Sequence, residues 1–429
     1  MSSLSAGRDR PRAAAPAALR GAERPRLRGL EAFAVEQDGQ RAIALRDPAG
    51  LTDQVAVLPG ALLDIVSLFD GDHAIAEIVE LIRARHGRGP GVAEVAAIAD
   101  RLDAGGFLDS PGFAAQRGVI EDAFRHAPTR PAAHAGGAYA GEGDALRRQI
   151  DAFFAHPDGP GAIAAPGPRP AAGLRGLVAP HIDFHRGGPT YAWAYRTLAE
   201  ESDADLFVVL GTCHAGMADP FAMTYKAHDT PLGAVSVDRE FGAALERRYG
   251  RDLLVGEIAH RREHSIEFQA VMLRYLFADR RPFTMVPILA SFLHGAVLTR
   301  SDPEADERVP RFVDALLGTM AASSRRICLV AGVDLAHVGP RFGDLAANTA
   351  DSLREVETRD RAMLEAVTGV DPFAFFASLA ADGDARRICG ASPIYALLRA
   401  LPGACGRLIR YAQWPDSREA VTFCAAAFS

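Results

Sequence analysis

At 429 residues the chain is long enough for two or three domains, and 48% hydrophobic against 24% charged residues is the balance of a soluble globular protein. A net charge of −7 argues against nucleic acid or an acidic membrane as partner for the whole chain, and no apolar run approaches the roughly 20 residues that span a bilayer. Five scattered cysteines without a C-x-x-C pair suit free thiols in a reducing cytoplasm, which is the expected location.

In chain order, residues 1–27 read as a disordered Arg/Ala/Pro tail. The first 28 positions hold seven Arg and two acids and lack the hydrophobic core of a secretory signal. Residues 28–112 read as a small module. "FAVEQDGQRAIAL" places a D-G turn at Asp38 and Gly39 between two strand-like arms. Three helical patterns follow, "GALLDIVSLFDG", "AIAEIVELIRARHG" and "VAEVAAIADRLDAGG", and "FLDS" reads as a closing strand. Hairpin, helices and wing make a winged-helix-like module. Seven Arg against fourteen acids in it oppose DNA binding. Its pattern resembles the PqqD-like modules that hold peptides or partner proteins, with a purely structural appendage as the alternative.

Residues 113–128 read as linker, and one helix, "DALRRQIDAFFAH", follows between Pro/Gly-rich stretches. From 129 to 429 short β-branched runs alternate with amphipathic ones, the signature of an α/β fold around a central sheet. The strand candidates are "GLVAP", "DLFVVLG", "FTMVPILA", "RICLVAGV", "RLIRYAQ" and "AVTFCAAAF", and the clearest helices are "EHSIEFQAVMLRYLF" and "PIYALLRAL".

Four of those strands run straight into polar chemistry. "GLVAP" leads to His181, Asp183 and His185, and "DLFVVLG" to Thr212, Cys213 and His214. "RICLVAGV" leads to Asp334 and His337, and "RLIRYAQ" to Gln413 and Asp416. Ligands of α/β sheets bind beyond the carboxyl ends of the strands, so these groups are expected to converge. Cys389 joins them because Ser392 fits a helix N-cap and Pro393 the first helical position. A helix N-terminus favours a thiolate. Cys213 is the rival thiol, while Cys328 and Cys424 sit inside strand runs as core residues.

Two imidazoles and a thiolate make a three-donor metal site with open positions, suited to copper, zinc or iron, and a metal-free polar pocket is the alternative. In "REHSIE" (262–267), Glu263 is accounted for as a first-turn acid, and His264 and Glu267 share a helix face. His73, His86, His126, His156, His228, His260 and His294 have no such setting and read as surface residues.

Nine ordered landmarks carry a resemblance. They are "RPAAHAGGAY" (130–139), "VAPHIDF" (178–184), "VVLGTCH" (208–214), "DTPLGAVSVD" (229–238) and "EHSIEFQ" (263–269), then "VPILA" (286–290), "DLAHVGPRFG" (334–343), "ICGASPI" (388–394) and "YAQWPDS" (411–417). From about 129 onward the chain resembles the Memo family, protein B of the bacterial AmmeMemoRadiSam system. The resemblance implies a fold similar to class III extradiol dioxygenases, a metal held by His181, His214 and Cys389, an acid/base role for His337, and pocket positions for Asp334 and His264. It departs from the family at Ile182-Asp183-Phe184, at Ala215 and in "DLAHVG", which puts pocket shape and substrate in question.

The expectation is a non-haem iron or copper redox enzyme, dioxygenase-like, acting on a small molecule or peptide. Radical SAM and AMMECR-type proteins of the same system are the implied partners. The alternatives are a metal-binding or peptide-docking protein without turnover and, third, a zinc hydrolase.

Overall fold

The computed structural model describes residues 24–37, 39–163, 173–278 and 280–429. The chain divides into two compact units, one formed by the described residues up to Asp47 with Leu51–Ile120, the other by Glu121–Ser429 with Pro48–Gly50.

In the first unit β1 (Glu31–Gln37), β2 (Gln40–Arg46) and β3 (Val55–Pro59) form an antiparallel meander in that order. Asp38 of the expected turn lies outside the described residues, while Gly39 takes φ +73°, the left-handed conformation such a turn requires. Helices α1 (Gly60–Val66), α2 (Ile75–His86) and α3 (Val92–Ala104) follow. Ile78, Val79 and Ile82 of α2 and Val95, Ile98 and Leu102 of α3 are buried, as their 3.6-residue spacing dictates. Glu77 and Glu94 reach back to accept the Ala74 and Gly91 N–H groups, fastening the first turns of α2 and α3.

Three expectations change here. The sheet is complete before α1, and "FLDS" contributes only a bridge between Leu108 and Leu27. Arg26 likewise bridges Asp70, so the end of the expected tail is paired with the module, while residues 1–23 lie outside the described residues. The expected linker 113–128 is helical as far as His126 in α4 (Pro111–His126). Gly112 and Gly118 obscured a pattern whose anchors, Phe113 and Phe124, are both buried.

The second unit opens with β4 (Thr129–Arg130) and α5 (Gly143–Ala155), which buries Leu146, Ile150 and Phe154 at four-residue spacing. Then come β5 (Gly176–Ala179), α6 (Phe184–Glu201), β6 (Leu206–Thr212), β7 (Phe221–Met223), β8 (Ala227–His228), α7 (Arg239–Tyr249) and α8 (His264–Phe277). The chain continues through β9 (Thr284–Ala290), α9 (Leu293–Thr299), α10 (Arg308–Ala322), β10 (Ile327–Gly332) and β11 (His337–Val338). It ends with α11 (Ala350–Thr368), α12 (Pro372–Ala381), α13 (Ala391–Arg399), β12 (Gly406–Trp414) and β13 (Ala420–Phe428).

One mixed sheet organises this unit, in the order β11-β13-β5-β10-β6-β9-β7, with β12 on β13. Its centre, β5-β10-β6-β9, is parallel. All seven residues of β6 are buried, which explains a continuous apolar run rather than alternation. Consecutive parallel strands β5 and β6 lie on opposite sides of β10, opening a crevice beyond their carboxyl ends. The start of α8 packs tightly there: a Cβ on Gly332 would stand 2.4 Å from the Ser265 carbonyl oxygen, so only glycine fits. That close approach carries Glu263 and His264 to the same edge. Among the described residues no helix is long and apolar enough to cross a membrane.

Candidate metal centre

His181 stands two residues beyond β5 and is 1% exposed. Its peptide N–H donates to Asp334 Oδ1 at 2.9 Å, and its Nδ1 lies 3.0 Å from the Gly332 carbonyl oxygen. A carbonyl only accepts, so Nδ1 carries the proton and Nε2 is left as the donor atom. His214 stands two residues beyond β6. Its Nδ1 lies 3.0 and 3.2 Å from the two oxygens of Glu263, and its peptide N–H donates to Glu263 Oε2 at 2.9 Å. Glu263 also accepts the Ser265 N–H and so caps α8.

Cys389 completes the group. Its Sγ is 3.2 Å from His181 Nε2 and 3.5 Å from the Asp334 carbonyl oxygen, and Thr212 Oγ1 donates to the Cys389 carbonyl at 3.1 Å. One donor atom from each of His181, His214 and Cys389 lies within 4.8 Å of the other two. Both imidazoles have the outer nitrogen engaged by an acceptor, the arrangement by which proteins orient metal-ligating histidines. The donor set fits one borderline or soft transition ion.

His264, at the start of α8, stacks on His214 with ring centroids 4.5 Å apart and meets the His181 ring edge-on at 5.0 Å. His337 begins β11, with Nδ1 3.1 Å from the Leu335 carbonyl oxygen and its ring edge-on to Phe342.

The charges sort by partner. Burial, then the charge on His214, holds the His181 imidazole well below its ordinary pKa. Burial also opposes charge on His214, yet the Glu263 carboxylate and the Cys389 thiol outweigh it and hold that pKa well above the ordinary value. Glu263, despite burial, is correspondingly held low by His214. Burial brings His264 to about 3 and His337 to about 4, and pushes Asp334 up to about 7.

Several expectations need correction. Asp183 and His185 do not join the group, because α6 begins at Phe184, whose buried ring packs on Tyr139 and Phe268 and turns His185 outward. Gln413 is engaged by the Leu353 carbonyl and the Tyr411 hydroxyl, and Asp416 accepts the N–H groups of Arg418 and Glu419 in an exposed turn. Ser392 does not cap α13. Gly390 holds that position, and the Ser392 hydroxyl instead accepts the Phe292 and Leu293 N–H groups at the start of α9. Cys389 still precedes the helix, but burial raises its thiol pKa rather than the helix lowering it. Cys213 is buried in the core, its thiol pushed up to about 12, and it takes no part in the donor group.

Glu263 is the residue of the candidate site that sequence reasoning undervalued. First-turn preference explained its place on the helix, and nothing local showed that its carboxylate faces a histidine 49 residues away. His134 was passed over as well. Its ring packs edge-on to His264 at 5.6 Å, and its Nε2 lies 2.8 Å from the Arg262 carbonyl oxygen. His228 and His260, expected at the surface, are each 1% exposed.

Fold and site together define an α/β protein with a two-histidine, one-cysteine group at the carboxyl ends of its parallel strands. Residues 130–424 match the family model of Memo-like proteins, and the chain belongs to that family. It is similar to a MEMO1 family protein of Methanopyrus kandleri, 30% identical over 294 residues that cover 67% of this chain and 93% of the relative. Further relatives come from Methanothermobacter thermautotrophicus, 28% identical over 291 residues (67% and 94% of the two chains), and Aquifex aeolicus, 26% identical over 300 residues (70% and 73%).

Proposed function

We propose that this Memo-like protein holds one iron or copper ion through His181 Nε2, His214 and the Cys389 thiolate, and acts as a redox enzyme on a small molecule or peptide. The observation that carries the reading is the convergence of the three donor groups with the outer nitrogens of both imidazoles already engaged. Bound there, the ion supplies one-electron and oxygen-directed oxidation chemistry at its remaining positions. The chain's own residues do the rest. Gly332 and Glu263 fix the two rings, and Glu263 places negative charge behind His214. His337, kept neutral by burial, takes up a proton at its imidazole from a substrate placed against Cys389 and His214. Asp334 holds the His181 backbone, and His264 walls one side of the pocket.

Donor groups at the carboxyl ends of a central sheet support a likeness to class III extradiol dioxygenases, with a thiolate where those enzymes use a carboxylate. The acidic first unit, a meander with helices, supports the PqqD-like reading, a holder of peptides or of the radical SAM and AMMECR-type proteins of an AmmeMemoRadiSam system in the cytoplasm.

The test is metal content and metal–sulfur spectroscopy on anaerobically purified wild type, Cys389→Ser and Cys213→Ser. Iron or copper near one per chain, lost only in Cys389→Ser, is the expected result. Loss in Cys213→Ser alone would assign the wrong sulfur. Zinc in place of iron or copper would favour a hydrolase, and no metal at all would favour a docking protein without turnover.

A further inference from the structure

Cys389 and His337 lie on separate segments, and both segments rest on one buried carboxylate that is not among the donor groups. Asp360 lies inside α11 and is fully buried. Its Oδ1 accepts from the guanidinium of Arg386, itself 4% exposed. Its Oδ2 accepts from Thr422 Oγ1 at 2.6 Å and from the Tyr411 hydroxyl at 3.0 Å.

Each partner passes the position on. Thr422 Oγ1 accepts the Ala336 N–H at 2.8 Å, and the Thr422 carbonyl accepts the Leu335 N–H at 2.7 Å. The Arg386 carbonyl accepts the His337 N–H at 2.7 Å. Arg387 then returns the tie, its guanidinium donating to the His337 carbonyl at 3.1 Å and to Asp344 at 2.6 Å. The segment from Asp384 to Cys389 is held out of its relaxed state, since Asp384 and Arg387 both take φ 54° without being glycine. Such backbone persists only where the surroundings over-determine it.

We infer that Asp360 is a positioning residue of the candidate metal centre, which holds the Cys389 segment and the His337 segment in one fixed geometry through Arg386 and Thr422. The inference rests on the metal reading proposed above. It extends that site by a buried layer, and it makes the sulfur donor and the proton-transfer group share a support.

The test is titration of metal-free protein with cobalt(II) under anaerobic conditions, following the thiolate-to-cobalt absorption band. Asp360→Asn keeps the shape but removes the ion pair, and it should weaken cobalt binding by about 10-fold with a shifted or diminished band. Because the single change leaves Arg386 with only the Asp382 carboxylate, 3.6 Å from its Nε, Asp360→Leu/Arg386→Met serves as the second variant. It replaces both charges by apolar groups, should unfold at a temperature near that of wild type, and should show the same spectral loss.

Wild-type affinity and an unaltered band in a folded variant would overturn the positioning role while leaving the metal reading standing. A wild type that binds cobalt without any thiolate band would overturn the metal reading, and this inference with it. Failure of both variants to fold would also overturn it, because the pair would then serve the fold as a whole.

Discussion

Two buried acids stand one turn apart at the start of α8, and their surroundings differ in kind. Glu267 is saturated: it accepts from the Arg130 guanidinium, the Tyr139 hydroxyl and the Ala133 and His134 N–H groups. Arg130 in turn donates to the carbonyls of Pro131, His260 and Glu263, so the whole group is closed on itself. Glu263 faces an imidazole whose other nitrogen is free to turn toward a thiol and a second imidazole. A buried acid with all its lone pairs engaged staples a fold. One whose partner keeps an open donor atom builds a site.

The largest effect should fall on the stapled side. Arg130→Met strands the Glu267 carboxylate in the interior and should cost about 3–5 kcal/mol in urea unfolding. A loss below about 1 kcal/mol would mean that the backbone N–H groups and Tyr139 suffice, and that Glu267 needs no ion pair to hold the fold.

Glu263→Gln should behave differently. The amide can still cap α8, so stability should fall by only about 1 kcal/mol. Metal affinity should drop by about 10–100-fold, read by competition with a chelator, because the carboxylate behind His214 is gone. Unchanged affinity would reduce Glu263 to a helix cap.

His260 and His228 on one side and His214 on the other should answer pH in opposite senses. On the Arg130 side burial holds His260 at about 4 and His228 well below its ordinary value. Below about pH 6.5 the unfolded chain binds protons that the folded one refuses, so stability falls with acid down to the folded pKa. Each of these histidines should contribute about 1.4 kcal/mol per pH unit within that window. His214, with its pKa raised, contributes stability that is present in acid and lost as pH rises through its folded value. Urea unfolding of wild type and His260→Gln at pH 7.0, 6.0 and 5.0 checks the first half. Parallel curves for the two proteins would contradict it.

The smallest expected change is in metal binding by His337→Ala. His337, the proposed proton acceptor, stands outside the donor group, so affinity should stay within about 3-fold of wild type, less than the 10–100-fold expected for a residue that orients a ligand, while any turnover is abolished. A loss matching that of His181→Ala would move His337 among the ligands.

Much of the site was written locally. Apolar runs that end in His181, His214 and Asp334 need only two facts to be informative: parallel strands are buried on both faces, and their carboxyl ends face a crevice. Cys389 was legible because a glycine and a helix start follow it, although the wrong residue was read as the cap. Sequence alone therefore determined six strands of the main sheet, the clearest helices and the donor types, but not β3 or the short strands β4, β7, β8 and β11. The tertiary structure decided how those residues are engaged, since the partner of a buried polar group is chosen by packing across long stretches of chain. It gave Glu263 to His214 rather than to its own helix alone, drew His228 and His260 inside, sent His185 outward at the first turn of α6, and set Ser392 at the start of α9. Each of those outcomes depends on which surfaces meet, and no local pattern of residues encodes that.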